Sequence, residues 1–454
     1  LESFLQDLEM LRVDQPISAE LVIAPIMQPD SLALTRDSQV FAQELPTQPR
    51  VKDAGDESTI GMPGESGDGS SVNVEGELGG RTLRRIEFST PEADYAIDRG
   101  LNWLARHQFA DGGWGFEHRV GDCGGRCPHP GSKRGARIAA TGLALLPFLG
   151  SGHSPEHGEY RTTVAAGINY LIDSTSRQGS LWRPEGEMYG HGIATLALCE
   201  CYGIMSQSPP GPEYDTFTPV DAEKLRRAAA SAIAFIVDAQ AVDGGWRYRP
   251  RERGDTSVVG WQIMALKSAR DAGLGTNQRT INAAQVFLDS VQVGAEGDPR
   301  YGMVGTSYAY QPNKRKVSSA TTAIGLACRI YTGTSPLHPG MEIAVKRIAA
   351  HGPIRGNMYY NLYANQVVFQ HGGAEWDSWN QQLNQALAES QSVRGHMEGS
   401  WYFGHGDHGG RAGGRLYATA MACLCLEESF RHLPIFRNES RLRVIERLSA
   451  AANE

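Results

Sequence analysis

Apolar residues recur at helical spacing from about residue 90 to residue 435, and glycine-rich turns separate the helical stretches. Two kinds of helix alternate along this part of the chain. One kind has an apolar stripe and a charged face, as an outer helix should, and the other is apolar nearly all round and rich in Ala, Gly, Thr and Leu, which predicts burial between other helices. The outer helices are predicted at 92–107, 161–174, 223–239, 278–290, 340–350 and 376–388, and the inner helices at 137–150, 190–205, 255–273, 318–333, 358–370 and 415–430.

The turns repeat together with the helices. An outer helix ends near a Gln, a turn containing Gly follows, and an aromatic residue comes next, as in RGLNWLARHQFADGGWGF (99–116) and SAIAFIVDAQAVDGGWRY (231–248). Repeats of this length predict stacked helical hairpins. A closed ring leaves no terminal repeat to cap, whereas an open solenoid needs capping repeats. The predicted fold class is therefore all-α, an (α/α)6 toroid of six helical hairpins.

Residues 1–88 have a different composition from the rest of the chain. They are acidic and rich in Gly and Ser, and they contain no Trp or Tyr, which predicts a partly disordered segment and linker. The toroid is expected at 89–436 and a C-terminal tail at 437–454. The first residue is Leu1, so we expect a longer product from which a targeting segment has been removed, and a cell-envelope or membrane-associated location is our hypothesis.

The charge balance excludes one class of partner. The 454 residues carry a net charge of −8, and most of the acidic excess lies in the first segment. A nucleic-acid-binding protein should present a basic face, so no nucleic-acid partner is expected. No apolar run reaches the roughly 18 residues needed to span a bilayer, which leaves association with a membrane surface open.

The Gln…Gly-x-Trp units resemble the QW motifs of squalene-hopene-type cyclases, in the terpenoid cyclase and protein prenyltransferase superfamily. In those enzymes the Gln caps a helix end and the Trp stacks near it, which ties neighbouring hairpins together. The resemblance covers about residues 90–435, and the stretch from 399 onward also looks like bacterial prenyltransferase and squalene-oxidase repeat proteins. The pairs that carry it are Gln108/Trp114, Gln178/Trp182, Gln240/Trp246 and Gln391/Trp401.

The resemblance places the acid motif of the cyclases on the stretch ERGDT (252–256), where the middle Asp, the usual proton donor, is replaced by Gly254. It places the zinc ligands of the prenyltransferases on Asp255, Ser257 and Ala418, of which one alone is a ligand. Catalytic zinc needs about three protein ligands and an open position. The resemblance therefore implies neither standard squalene cyclisation nor zinc-dependent transfer, and no metal and no cofactor are expected.

The diphosphate-binding residues of the prenyltransferases are half present. His191 and Arg249 match, whereas Glu252 and Val258 stand where the family has Lys and Tyr. A helix N-terminus with His and Arg can hold an anion. We expect Asp255 and His191 to be the catalytic acid/base pair and Arg249 to be the anion partner. For Asp255 a second hypothesis is a helix N-cap, since Thr256 and an apolar helix follow it, and the two roles are compatible.

Four tyrosines complete the predicted ligand-binding set. Aromatic rings that face a cavity stabilise carbocations by cation–π contact, although packing between helices explains such residues equally well. Those expected to line the cavity are Tyr359, Tyr360, Tyr363 and Tyr417.

Two loops that contain His are candidate metal sites. Cys123 and Cys127 precede His129 in a glycine-rich loop, but a fourth ligand is missing, so a disulfide and free thiols remain open beside a metal site. The second loop, GHGDHGG, holds His405, Asp407 and His408 and is expected to be a solvated rim.

The sequence thus favours a terpenoid-cyclase-like toroid that binds an apolar small molecule, an isoprenoid or similar ligand, in a central cavity. If it is an enzyme, we expect cyclase or isomerase chemistry. The alternative is a non-catalytic cell-envelope binding or scaffold module on the same fold. An enzyme should contain a closed apolar cavity with Asp255 facing in, whereas a scaffold should have a filled or a wide, wet centre.

Overall fold

The computed structural model describes residues 89–207, 219–293, 307–404, 406–407 and 409–431. The segment predicted at 1–88 and the tail predicted at 437–454 lie outside the described residues. The outer helices are α1 (Pro91–Ala105), α3 (Arg161–Ser174), α5 (Ala222–Ala239), α7 (Gln278–Val291), α9 (Pro339–His351) and α11 (Gly373–Ser390). The inner helices are α2 (Arg137–Gly150), α4 (Glu187–Gln207), α6 (Thr256–Asp271), α8 (Ser319–Tyr331), α10 (Met358–His371) and α12 (Gly410–Leu426).

The inner helices form a closed ring. Each packs against the next in chain order, from α2 to α12, and α12 packs back against α2. Each outer helix packs against inner helices on the outside of this ring. The inner helices are buried on nearly all faces, as their all-round apolar composition requires. The predicted all-α (α/α)6 toroid is therefore confirmed, and every predicted outer and inner helix corresponds to a helix of the structure.

The sequence interpretation missed a small β-sheet between α7 and α8. Strands β1 (Gln292–Val293), β2 (Ser307–Gln311) and β3 (Lys314–Val317) pair in antiparallel order β1-β2-β3. Strand β2 runs along α8, and Tyr308 is fully buried there, with its ring over Gly325. The strands were missed because they are short and no regular alternation of apolar and polar residues marks them.

Three of the turns share one hydrogen-bonding arrangement. The Gln240 side-chain amide donates to Gly244 O of its own turn (2.8 Å) and to Thr280 O of the next outer helix (2.9 Å). Trp246 is buried, and its indole N–H donates to Ile236 O at 2.8 Å. The same contacts occur around Gln108/Trp114 and Gln391/Trp401, where the amides reach Thr163 O and Ala96 O. Each Gln therefore joins two adjacent hairpins.

The fourth predicted pair, Gln178/Trp182, has a different geometry. The glycine of each turn has a positive φ and touches the next outer helix: Gly179 (φ +79°) lies against Ser231 O as Gly244 (φ +82°) lies against Ala283 O. Counting from Gly179, the buried aromatic position is occupied by Leu181, and Trp182 comes one residue later and is only partly buried. Gln178 is exposed. The sequence register was wrong here because QGSLW offers an aromatic one residue from the position that the glycine fixes.

None of the helices in the described part of the chain combines the length and the hydropathy needed to cross a membrane.

Candidate functional site

A cavity lies inside the ring, at the end where the inner helices α4, α6 and α8 begin. It has about 970 Å³ of empty volume, including the open solvent at its mouth. Small and large apolar side chains from the six inner helices and their turns form its wall, among them Leu143, Ile193, Trp261, Ile324 and Tyr359. The part of it that the centre of a water-sized sphere can occupy is about 130 Å³, and its apolar lining suits an apolar group.

Asp255 lies directly behind the cavity wall. It is the N-cap of α6, where Oδ1 accepts the Val258 N–H at 3.0 Å, so the predicted cap is present. Oδ1 also accepts the Ser257 hydroxyl at 2.6 Å, and Ser257 Oγ lies 2.5 Å from the hydroxyl of Tyr189. Ser257 and Tyr189 line the cavity, whereas Asp255 does not. Asp255 therefore does not face into the cavity as predicted for an enzyme, and its carboxylate is connected to the cavity through two hydroxyl groups.

Burial raises the pKa of Asp255 to about 6, although the hydrogen bonds from Ser257 and Val258 and the charge of Arg247 oppose that rise. Oδ2 has no hydrogen bond of normal length, but Arg247 Nε lies 3.6 Å from it and the Tyr310 hydroxyl is close enough to stabilise the anion. Asp255 can therefore hold or release a proton near neutral pH.

Glu187 is a second carboxyl group at the cavity and was not predicted. It begins α4 with a φ of +55°, a left-handed conformation that is rare for Glu. Burial raises its pKa to about 7, which the nearby Lys133 opposes and Asp255 reinforces. Unlike Asp255, Glu187 itself lines the cavity. Backbone strain at a titratable group in a cavity is typical of functional sites.

His191 does not reach the cavity. Its Nδ1 accepts the Leu181 N–H at 3.1 Å, so Nε2 carries the proton and donates it to Ala232 O at 3.1 Å. Thr141 and Thr419 accept the N–H of the corresponding turn residue in two other hairpins. Burial lowers the pKa of His191 to about 4, so the ring is neutral. His191 therefore holds the turn at Leu181, as Thr141 and Thr419 hold the turns of two other hairpins. It is not paired with Asp255.

Arg249 is exposed, and its backbone N–H donates to Glu252 at 3.2 Å. The arginine near the buried carboxylate is Arg247, two residues earlier, whose guanidinium also lies 4.9 Å from the centre of the Tyr248 ring. Of these two arginines, only Arg247 reaches Asp255. The predicted diphosphate set of His191 and Arg249 is therefore not assembled at the cavity.

The four predicted tyrosines divide into two groups. Tyr359 and Tyr417 line the cavity, and Tyr359 donates its hydroxyl to Ser257 O at 2.9 Å. Tyr363 lies one turn deeper and packs edge-on against Tyr359. Tyr360 points to the outer layer, where it packs against Trp379. This follows from helix geometry, because successive residues lie about 100° apart around the axis.

Of the GHGDHGG loop, His405 and His408 lie outside the described residues. Asp407 is buried, and the Tyr417 hydroxyl donates to it at 3.5 Å. Cys123 and Cys127 are absent from the cavity wall and lie beside His107 and His396 instead.

No protein-family model matches the chain, and no curated protein matches it. Among solved structures, it is similar to an inactive variant of the α-1,6-mannanase GH76A of Salegentibacter sp. HEL1_6 in complex with α-1,6-mannotriose, with 6% identity, 74% of this chain and 98% of that chain covered, and a TM-score of 0.49. It is also similar to a variant of the type II terpene cyclase MstE from Scytonema in complex with geranylgeranyl dihydroxybenzoate, with 13% identity, coverages of 75% and 98%, and a TM-score of 0.44. At these identities the likeness concerns the helical toroid fold, not the substrate.

Sequence reasoning found Asp255 and two cavity tyrosines but missed Glu187, Tyr189, Arg247 and Tyr310. Tyr189 and Glu187 precede the predicted start of the helix at 190, in EGEMYGHG, and an acid at a helix start is ordinarily assigned to the helix dipole. Tyr310 comes from the unpredicted strand β2. One signal in the sequence could have found them. The inner helices of such a ring begin at the same end, so every polar residue at the start of an inner helix is a candidate for the site.

Proposed function

We propose that the toroid binds a neutral, apolar ligand of isoprenoid type in its central cavity and isomerises or cyclises it by proton transfer. The observation that carries this proposal is an apolar, aromatic-lined cavity with two carboxyl groups whose pKa values lie near neutrality, one in the wall and one just behind it. Carboxyl groups that titrate near the working pH are suited to acid and base roles.

Glu187 is the acid in this proposal. Burial raises its pKa to about 7, so a substantial fraction of Glu187 carries a proton at neutral pH. It lines the cavity and can protonate a carbon–carbon double bond directly, which leaves a carbocation on the ligand. The rings of Trp261, Tyr359 and Tyr417 surround the cavity and stabilise such a cation.

Asp255 is the base and acts through hydroxyl groups. The cation loses a proton to the Tyr189 oxygen, the Tyr189 proton passes to Ser257, and the Ser257 proton passes to Asp255 Oδ1. The ligand gains one proton and loses one, so the product is an isomer of the substrate. A later exchange with solvent returns both carboxyl groups to their starting states.

The charges of the lining favour a neutral ligand. Among the described residues, the charged ones in the wall are Lys133, Glu185 and Glu187, two acids and one base. A diphosphate would need more positive charge or several N–H donors. Squalene is therefore a better first probe than farnesyl diphosphate.

The test is binding of both probes by calorimetry, followed by product analysis. We expect squalene to bind and farnesyl diphosphate to bind at least tenfold more weakly, a difference of about 1.4 kcal/mol. Ala320→Phe, which puts a ring into the cavity, should weaken squalene binding about tenfold or more, because it occupies the ligand's volume. Val286→Phe adds the same ring on the exposed face of α7 and should leave binding unchanged.

Glu187→Gln separates binding from chemistry. It should retain squalene binding and lose product formation, because the amide fills the same space and cannot donate a proton. Binding that is equally strong in Ala320→Phe would place the ligand outside the cavity and contradict the proposal. Failure of the wild type to bind either probe would favour the non-catalytic envelope scaffold instead.

A further inference from the structure

Four metal-ligating side chains meet where the first and the last hairpins of the ring adjoin. They are His107 and the loop residues Cys123 and Cys127 of the first hairpin, and His396 in the 3-10 turn Gly395–Met397 before α12. Their ligand atoms all lie within 4.8 Å of one another, and the first three side chains are buried. We propose that these residues bind a structural zinc ion. This inference is independent of the proposed function of the cavity.

The distances fit tetrahedral zinc. Cys127 Sγ lies 3.5 Å from His107 Nε2 and 3.2 Å from His396 Nδ1. With Zn–S near 2.3 Å and Zn–N near 2.05 Å, a tetrahedral site places sulfur and nitrogen about 3.5 Å apart. Two cysteines and two histidines form a closed set of four ligands, which is typical of structural zinc.

The surroundings prepare the ligands for metal. His107 Nδ1–H donates to Trp103 O at 2.6 Å, which directs the unprotonated Nε2 towards the cluster, as the outer partner of a zinc-bound histidine does.

The cluster differs from the metal-ligand set that the sequence suggested. His129 is not a ligand, because its ring stacks on Tyr402 at a centroid distance of 4.0 Å. The two ligands that the spacing of the loop did not show are His107, just after α1, and His396, in a turn 269 residues away from Cys127. The sequence left a metal site at Cys123 and Cys127 open for want of a fourth ligand, and the structure places two further candidate ligands beside them. Cys123 and Cys127 are both free thiols rather than a disulfide.

The position of the cluster indicates what the metal would do. It would link the first hairpin to the last, so it would close the ring across most of the toroid sequence. It would also fix the loop between Cys127 and α2, where Pro130 pairs with Gly414 at the start of α12 and Lys133 reaches the cavity wall. With all four positions taken by protein, no site remains for substrate, so the role is structural.

Metal content and cobalt substitution test the proposal. We expect the full chain, purified without chelator, to hold one zinc per chain by elemental analysis. Exchange with Co²⁺ should give the d–d absorption of a tetrahedral ion together with thiolate-to-metal charge transfer. Neither signal depends on enzymatic activity.

The variants distinguish ligation from packing. His396→Ala should lose at least nine-tenths of the zinc, whereas His396→Cys, which offers a thiolate, should restore it. Cys328→Ala removes an equally buried thiol from α8 and should keep full zinc content. A Cys123–Cys127 disulfide in the non-reduced protein, or zinc content that is unchanged in His396→Ala, would overturn the site.

Discussion

At the scale of single residues, the environment of one side chain combines opposing effects. Asp255 caps α6 and is also the buried carboxyl group behind the cavity. The Val258 N–H at the helix N-terminus favours the anion of Asp255, whereas burial favours the protonated form. The effect of burial is larger, so the pKa is raised. His191 has a structural role alone, since both of its ring nitrogens form hydrogen bonds with backbone groups.

The pKa of Asp255 predicts how stability depends on pH. Its folded-state value of about 6 lies above the ordinary 3.8, so its contribution is fully present below about pH 3.8 and is lost as the pH rises through 6. In Asp255→Asn this dependence should vanish, because the amide keeps the cap and does not titrate. The free energy of unfolding of the wild type relative to the variant should fall by about 1–3 kcal/mol between pH 4 and pH 7.5. Urea unfolding at both pH values measures this, and a constant difference would contradict the assignment.

At the scale of elements, the turns decide how the hairpins join. A positive-φ glycine sets the register, and the following buried side chain enters the space between hairpins. Leu181 fills that place in one turn and tryptophans fill it in three others. Spacing along the sequence identified the helices, but the register of a turn depends on which glycine touches the next helix.

The contribution of a turn glutamine to stability can be measured by comparing two turns. Gln240→Ala removes the amide that joins Gly244 O and Thr280 O and leaves both carbonyls without that donor. We expect it to lower the free energy of unfolding by about 1–3 kcal/mol. Gln178→Ala changes an exposed side chain and should have no measurable effect. Equal losses in urea unfolding would mean that Gln178 follows the predicted repeat after all.

At the scale of the whole molecule, buried charges join distant parts of the ring. Arg431 follows α12 and pairs with Glu200 of α4 at 2.9 Å and with Glu427 at 3.2 Å. All three side chains are buried. This ion cluster and the proposed metal site both join residues that are far apart in sequence, and closing such long loops carries a large entropic cost.

Removal of Arg431 should therefore be costly. Arg431→Leu leaves the Glu200 carboxylate buried without its cation and should lower the free energy of unfolding by about 3–5 kcal/mol at pH 8. Burial raises the pKa of Glu200 to about 7, so at pH 5 the group is neutral and the loss should be smaller. Arg226→Leu breaks an exposed pair with Glu223 and should cause no measurable change. Thermal unfolding of both variants at pH 8 and pH 5 measures these losses. An equal loss for Arg431→Leu at both pH values would contradict the prediction.

The sequence by itself determined the twelve helices of the ring and their division into two layers, because helical periodicity and all-round apolar composition are local properties. It also identified Asp255 as a cap, since a cap depends on residues three positions apart. Only the tertiary structure decided the site. Glu187 at the start of α4, Arg247 in a turn and Tyr310 on β2 surround Asp255. His107 and His396 reach the two cysteines from the first and the last hairpins. Such encounters depend on how the ring closes in space, and no spacing within a single repeat records that.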